Sequence, residues 1–421
     1  MKRAIVLSGG GSKGAYQMGV WKALRKLKID YSIVTGTSVG ALNGALMVEK
    51  KFNEGMYFWK NLGFELIFDD PNNEFKKANN IKDIYKIYAK NIMNGGINPI
   101  QLEKLAKSLI KEKKVRNSKI DYGLVTVNVS NLKAKCLSKK DIPKGQLVDY
   151  ILASATCFPA FKVKEINNQK FIDGGIYDNL PINLALKLGA EEIIAVDLEE
   201  IGLKRKPKKD AKIIYISPNN DLGQFLVFDS SIAKKNIRYG YNDTMKVFKK
   251  LEGKKFTFKK NTLQFNYNQH KKRFVNLANQ IYQEINKQKK LDKLLISKNL
   301  KVIVTGREKE VMKKFNDQLE YLGKVFNIDD SLIYTTRKFN NILKRKVLLE
   351  TNVNLDNIEK QIKNNQIKKL LHTKTIIKYL YNKIEEGFTE KNLNILIVAS
   401  KLFPKDFLGA LYLNSIKISL I

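Results

Sequence analysis

Short apolar runs alternate with longer patterned stretches through the first 250 residues. Arg3–Leu7 reads as a buried strand, residues 14–27 as a helix, 32–35 as a second strand, and Val39–Val48 as a helix rich in small residues. Further strands are predicted at 123–129, 192–198 and 212–217. Strands separated by helical patterns predict a mostly parallel sheet covered on both faces, a three-layer α/β/α arrangement.

Beyond residue 250 the period changes. Phe274, Leu277, Ala278, Ile281 and Ile285 recur at helical spacing, as do Val311, Phe315, Leu319, Leu322 and Phe326. Ile376, Ile377, Leu380 and Ile384 continue the pattern. The chain therefore divides into a domain over 1–250 and a mainly helical accessory domain over 251–421, with one strand predicted at 301–305. Residues 392–421 are apolar but broken by Lys401, Pro404, Lys405 and Asp406, which predicts a docked segment and not a membrane span.

Composition qualifies this picture. The 77 Lys and Arg outweigh 41 Asp and Glu, a net charge of +36 that invites a polyanionic partner. Only 9 of the basic residues are Arg, and the excess is +18 on each side of residue 250, so most of it reads as a solvated lysine surface. The local exception is Lys204-Arg205-Lys206-Pro207-Lys208-Lys209, a loop placed to touch lipid headgroups. Stacking aromatics are not interleaved with the charge, so no nucleic acid is expected. No run reaches the ~18 apolar residues of a membrane span, and Ala4–Leu7 is too short for a signal-peptide core. Cys136 and Cys157 have no metal-site spacing. The expectation is a cytoplasmic protein without metal or cofactor, in peripheral contact with anionic membrane; any protein partner is left unspecified.

Two short motifs carry candidate chemistry. Gly9-Gly10-Gly11-Ser12-Lys13-Gly14 follows a strand and opens a helix, where backbone N–H groups and the helix dipole favour an anion. That anion is either a dinucleotide pyrophosphate or the oxyanion of acyl transfer. Asp30 stands before the second strand, the wrong end for a ribose contact, and the Gly–Lys order does not fit a P-loop. Gly36-Thr37-Ser38-Val39-Gly40 matches G-x-S-x-G between a strand and a helix, an elbow that exposes the Ser38 hydroxyl. Gly36 and Gly40 are needed because a Cβ would strike the neighbouring backbone.

A serine nucleophile ordinarily takes histidine as its base. The chain has only His270 and His372, both in the helical part and distant in sequence from these motifs. Asp173, between the apolar Phe171-Ile172 and Gly174-Gly175, is the alternative base; desolvation would have to raise its basicity.

In this order the glycine loop, Gly36–Gly40 and Asp173-Gly174-Gly175 resemble the patatin-like phospholipases, lipid acyl hydrolases. Residues 153–161 and Asp178-Asn179-Leu180-Pro181 are similar to the family's stretches on either side of the Asp strand. The resemblance covers about residues 1–250. It implies a Ser38–Asp173 dyad, an oxyanion hole of Gly10, Gly11 and Ser12 N–H groups, Lys13 at a position that is Arg or Lys in the family, and hydrolysis of phospholipid or related esters without a metal. A lipid-binding scaffold with a vestigial site, and acyl transfer through the same dyad, are the competing readings.

Overall fold

The computed structural model describes residues 1–421 except 71, 132, 288–297, 351–372 and 418–421. The chain separates into two compact units, Met1–Phe248 and Lys249–Ile421.

The first unit is built on an eight-stranded sheet. Five strands are parallel: β1 (Arg3–Leu7), β2 (Ile33–Thr37), β3 (Asp121–Asn128), β7 (Glu192–Val196) and β8 (Lys212–Ile216). β4 (Lys133–Ser138), β5 (Lys164–Ile166) and β6 (Gln169–Asp173) are antiparallel to their neighbours. The order is β5-β6-β3-β2-β1-β7-β8, with β4 also on β3. Alternation along the strands explains the two covered faces. Ile5, Leu7, Val34, Ile194 and Val196 pack on one side, with residues of α1 (Ala15–Lys26), α2 (Val39–Val48) and α7 (Ser230–Val247). Ala4, Val6, Ile33, Ile193 and Ala195 pack on the other, against α6 (Ile182–Lys187). This is the mostly parallel, doubly covered sheet that the apolar runs predict. Between β2 and β3 lie α3 (Phe52–Lys60) and α4 (Ile100–Leu109), and α5 (Leu147–Ser154) precedes β5.

The second unit is mainly helical: α8 (Thr262–Lys287), α9 (Lys298–Thr305), α10 (Glu308–Val325), α11 (Thr336–Leu349), α12 (Thr373–Glu385), α13 (Glu390–Leu402) and α14 (Pro404–Ser415). A small three-stranded sheet of Leu251–Glu252, Thr257–Lys259 and Ile333–Tyr334 accompanies them. The strand expected at 301–305 is a helix. Val302, Ile303, Val304 and Thr305 favour strand locally, but Leu300 and Ile303, three apart, are the residues buried in the core. Tertiary packing of that stripe overrides the β-branched preference. Residues 406–415 of α14 are buried throughout, so this segment docks in its unit's core. Among the described residues no helix is long and apolar enough to cross a membrane.

A closed polar ring ties α8, α11 and α14. Asn340 donates to Asn266 Oδ1 (2.9 Å), Asn266 to the Tyr412 hydroxyl (3.1 Å), and Tyr412 to Asn340 Oδ1 (2.8 Å), all buried. Tyr412→Phe keeps the ring packing but removes the shared hydroxyl from two buried amides. Denaturant unfolding of the full chain is expected to show a loss of ~1–3 kcal/mol, the range for an orphaned buried polar group; an unchanged midpoint would mean that the ring contributes nothing.

Candidate active site

β3 has two edges, and its pairing sets the site. β4 pairs along one of them from Gly123 to Asn128. The other edge is shared. β2 pairs with its first half, ending at Thr37 opposite Val125, and β6 pairs with its second half, ending at Asp173 opposite Thr126. The two strands run toward each other and stop one position apart. The residue after Thr37 is Ser38, so residues 135 positions apart in the chain are brought to one point.

Ser38 is the N-cap of α2 with φ 56° and ψ −129°, a region costly for a residue with a Cβ. The conformation is held from several sides. A Cβ on Gly36 would lie 2.2 Å from the Gly40 carbonyl oxygen, and one on Gly40 would lie 2.4 Å from that of Leu7. The elbow is thus packed backbone against backbone. The Ser38 N–H donates to Ser154 Oγ (3.0 Å), whose hydroxyl in turn donates to the Val125 carbonyl (2.6 Å). Ser154 ends α5 and fixes the elbow to β3. Nothing in its local sequence marks that role, and sequence reasoning placed it only within a similar stretch.

Asp173 is anchored by its N–H, which donates to the Thr156 carbonyl (2.8 Å), while its Oδ1 accepts the Gly175 N–H (2.8 Å). Its carboxylate faces the same cavity as Ser38, whose hydroxyl favours the ionised form, as the Gly175 amide does. Desolvation outweighs both and raises its pKa to about 6. Cys157 also lines the pocket, but burial and the nearby Asp173 push its thiol up to about 12, which removes it as a thiolate nucleophile at neutral pH.

The glycine loop borders the same space. Gly9 donates to both the main-chain oxygen and Oδ1 of Asn179 (3.1 Å each), which draws the loop onto the turn of helix Gly175–Asp178. Gly10 and Gly11 line the pocket and donate no backbone hydrogen bond among the described residues. Gly11, at φ 52°, approaches Phe225 so closely that a Cβ would lie 2.1 Å from its carbonyl oxygen. Ser12 departs from the expectation: its N–H donates to Phe225 O (2.8 Å) and its hydroxyl to Gln224 O (3.0 Å), so this amide is committed to the fold. Lys13 is ion-paired with Glu200, both side chains mostly buried. Gly14 begins the packing of α1: a Cβ there would press on Val39 and Trp59. Gly174 is as tightly placed, against Val125 of β3.

From Ser38 a cavity of about 320 Å³ extends into the core. One wall is the α2 face of Val39, Leu42, Asn43 and Leu46, at helical spacing, so it runs ~12 Å from the serine. Trp59 of α3 and Leu102 of α4 stand among its other apolar lining. The polar Asn43 is satisfied within the wall, accepting from Trp59 Nε1 (2.9 Å) and donating to Gly14 O (3.1 Å) and Gln17 Oε1 (2.9 Å). Among the described residues no histidine lines the cavity; His270 lies on α8, and His372 falls outside the described residues. Among the described residues no group of three His, Cys, Asp or Glu side chains is gathered.

Residues 5–186 match the family model of the patatin-like phospholipases. The chain is 25% identical over 200 residues to patatin-like phospholipase domain-containing protein 7 of Rattus norvegicus, a match covering 46% of this chain and 13% of that protein. It is 26% identical over 212 residues to lysophospholipase nte1 of Aspergillus terreus, covering 47% of this chain and 12% of that protein. The chain thus spans about an eighth of the length of these curated relatives. A solved structure, VipD from Legionella pneumophila, aligns with TM-score 0.40 at 15% identity, covering 100% of this chain and 92% of that one.

The raised pKa makes Asp173 a cost to the fold. Its neutral form is favoured in the folded state, so its contribution to stability is present below about pH 4 and is lost as pH rises through about 6. Asp173→Asn is therefore expected to raise the thermal midpoint at pH 7 to 8, with the gain fading toward pH 4. A gain that does not depend on pH, or a loss at neutral pH, would contradict this electrostatic placement.

Proposed function

From the premise that residues 5–186 carry a patatin-like phospholipase domain, we propose that the protein is a serine lipid acyl hydrolase acting on fatty-acyl esters of phospholipids or related lipids. The observation that carries the reading is that Ser38, on its strained elbow, and the desolvated carboxylate of Asp173 line the head of one apolar cavity, beside two glycine amides that donate to no acceptor among the described residues.

Asp173 accepts the Ser38 proton as Oγ attacks the ester carbonyl carbon. A pKa of about 6 leaves the carboxylate about nine-tenths ionised at pH 7, and it is a stronger base than an ordinary aspartate. The tetrahedral oxyanion is held by the Gly10 and Gly11 N–H groups, and the N-terminal end of α2 favours negative charge at the same place. Collapse expels the lipid alcohol, which takes the proton from the now neutral carboxyl of Asp173. Water then gives a proton to Asp173 and attacks the acyl-serine; the fatty acid leaves and Ser38 regains its proton. The chemistry needs neither metal nor cofactor. Supporting a lipid substrate, the cavity wall along α2 offers an acyl chain continuous apolar contact beyond the reacting carbon. The enzyme would work in the cytoplasm, in peripheral contact with anionic membrane and without nucleic acid. Transfer of the acyl group to another acceptor would use the same dyad, and product analysis by lipid class separates the two outcomes.

Ser38→Ala and Asp173→Asn are each expected to lower kcat on nitrophenyl and phospholipid esters by at least ~10³. Wild-type kcat/KM should fall about tenfold per pH unit below about 6, following the base. Full turnover by both variants, or wild-type vesicle binding with no ester turnover, would refute the hydrolase. Leu46→Trp narrows the far end of the α2 wall. It should lower kcat/KM for long-chain relative to short-chain nitrophenyl esters by ~10-fold or more, with short-chain turnover retained; equal losses on both would place the acyl chain elsewhere.

A further inference from the structure

The mouth of the cavity carries an apolar rim that the hydrolytic chemistry does not use. Phe158, Ile176 and Ile201 all line the cavity, yet they are 54%, 54% and 96% exposed. Leu203, 61% exposed, continues the rim. Three large apolar side chains around one opening, with Leu203 two residues on from Ile201, are not the scattered single hydrophobics of an ordinary surface.

The basic run follows at once and is built onto the same element. Leu203 N–H donates to Gly175 O (3.0 Å), and Asn179 N–H donates to Leu203 O (2.6 Å). The Arg205 guanidinium lies 3.7 Å above the Tyr177 ring and donates through Nε to the Tyr177 carbonyl (3.2 Å). Asn183 donates to Lys206 O (2.9 Å) and accepts the Lys208 N–H (2.8 Å). The segment is thus pinned to the residues that follow Asp173. Lys206, Lys208 and Lys209 are exposed and make no ion pair among the described residues.

We propose that Phe158, Ile176, Ile201 and Leu203, with Lys206, Lys208 and Lys209, form an interfacial docking face that seats the mouth of the cavity on an anionic lipid bilayer. Aliphatic side chains enter the acyl boundary while the lysines beside them meet anionic headgroups, so a lipid could reach Ser38 with its tail entering from an apolar medium. Charge complementarity selects the anionic bilayer over a zwitterionic one. The face names the partner of the proposed acyl hydrolase site and rests on that reading for its biological use; docking itself does not require turnover.

The test is vesicle co-sedimentation of the full chain in a Ser38→Ala background, with phosphatidylcholine vesicles alone and mixed with phosphatidylglycerol. The parent should bind the anionic vesicles far better, and salt should weaken that binding. Lys206→Ser/Lys208→Ser/Lys209→Ser should reduce anionic partitioning on the order of 10²-fold, from about 1 kcal/mol per lysine. Ile201→Ser/Leu203→Ser should reduce binding at both low and high salt. These side chains are exposed, and unchanged thermal midpoints would report intact folding; Lys206→Gln alone, expected to cost about fivefold, serves if the triple variant fails to fold. Lys113→Ser/Lys114→Ser/Lys119→Ser, near the opposite end of β3, should change binding less than about twofold. Equal losses in this control, full binding by either rim variant, or no vesicle binding by the parent would overturn the docking face. Loss of ester turnover by the wild type with docking intact would instead count against the hydrolase.

Discussion

The one constraint on which the site depends is the shared edge of β3. A strand edge offers a single row of hydrogen-bonding groups, so two strands on the same row must stop where they meet. β2 arrives parallel and β6 antiparallel, and each therefore presents its C-terminal end at the junction. Thr37 and Asp173 occupy neighbouring register positions, with the elbow serine next in line. A one-residue slip of β6 would send the carboxylate to the other face of the sheet. The nearness of Ser38 and Asp173 is thus a consequence of sheet register, and no loop has to fold back to set it.

That junction is energetically expensive, and the surrounding groups indicate how it is sustained. Ser38 holds a positive φ, and Asp173 holds a carboxylate that desolvation drives toward its neutral form. Both would relax if the backbone were free. The Ser154 hydroxyl ties the Ser38 amide to β3, Thr156 fixes the Asp173 amide, and the elbow glycines allow contacts that a side chain would break. The central strands β1, β2, β3 and β7 are buried on both faces and supply hydrophobic stabilisation that tolerates this local cost. Strain and raised basicity in the same few residues mark this junction as the candidate site on which the proposed acyl hydrolysis rests.

Much of this was legible in the sequence because it depends on local backbone requirements. Glycines at 36 and 40 announce a turn too tight for Cβ atoms, and the apolar runs of β1, β2 and β7 announce strands covered on both faces. With only two histidines, both distant in sequence from the glycine motifs, Asp173 stands as the candidate base. What could not be read depends on distant partners. Ser12 belongs to the glycine loop by spacing, but its amide is committed to Phe225. Ser154 has no local signature, since its role exists only once α5 lies beside the elbow. Residues 301–305 carry strand-favouring side chains, yet Leu300 and Ile303 are drawn into a helical core. The β5–β6 hairpin, which delivers Asp173, is too short and polar at Lys164, Glu165, Gln169 and Lys170 to stand out by periodicity.

The large positive charge takes on meaning only when placed on this frame. Spread evenly along the chain, it distinguishes no surface. In 204–209 it is fixed by Tyr177, Asp178 and Asn183, which follow the carboxylate in the chain, and it adjoins exposed aliphatic side chains at the cavity mouth. A lysine surface elsewhere could raise solubility or attract any polyanion. Here the same charge is combined with an apolar rim and an apolar interior, the three features on which the proposed docking on an anionic bilayer rests. Position relative to the β2–β6 junction, and not the size of the net charge, sets the basic run apart from the rest of the lysine surface.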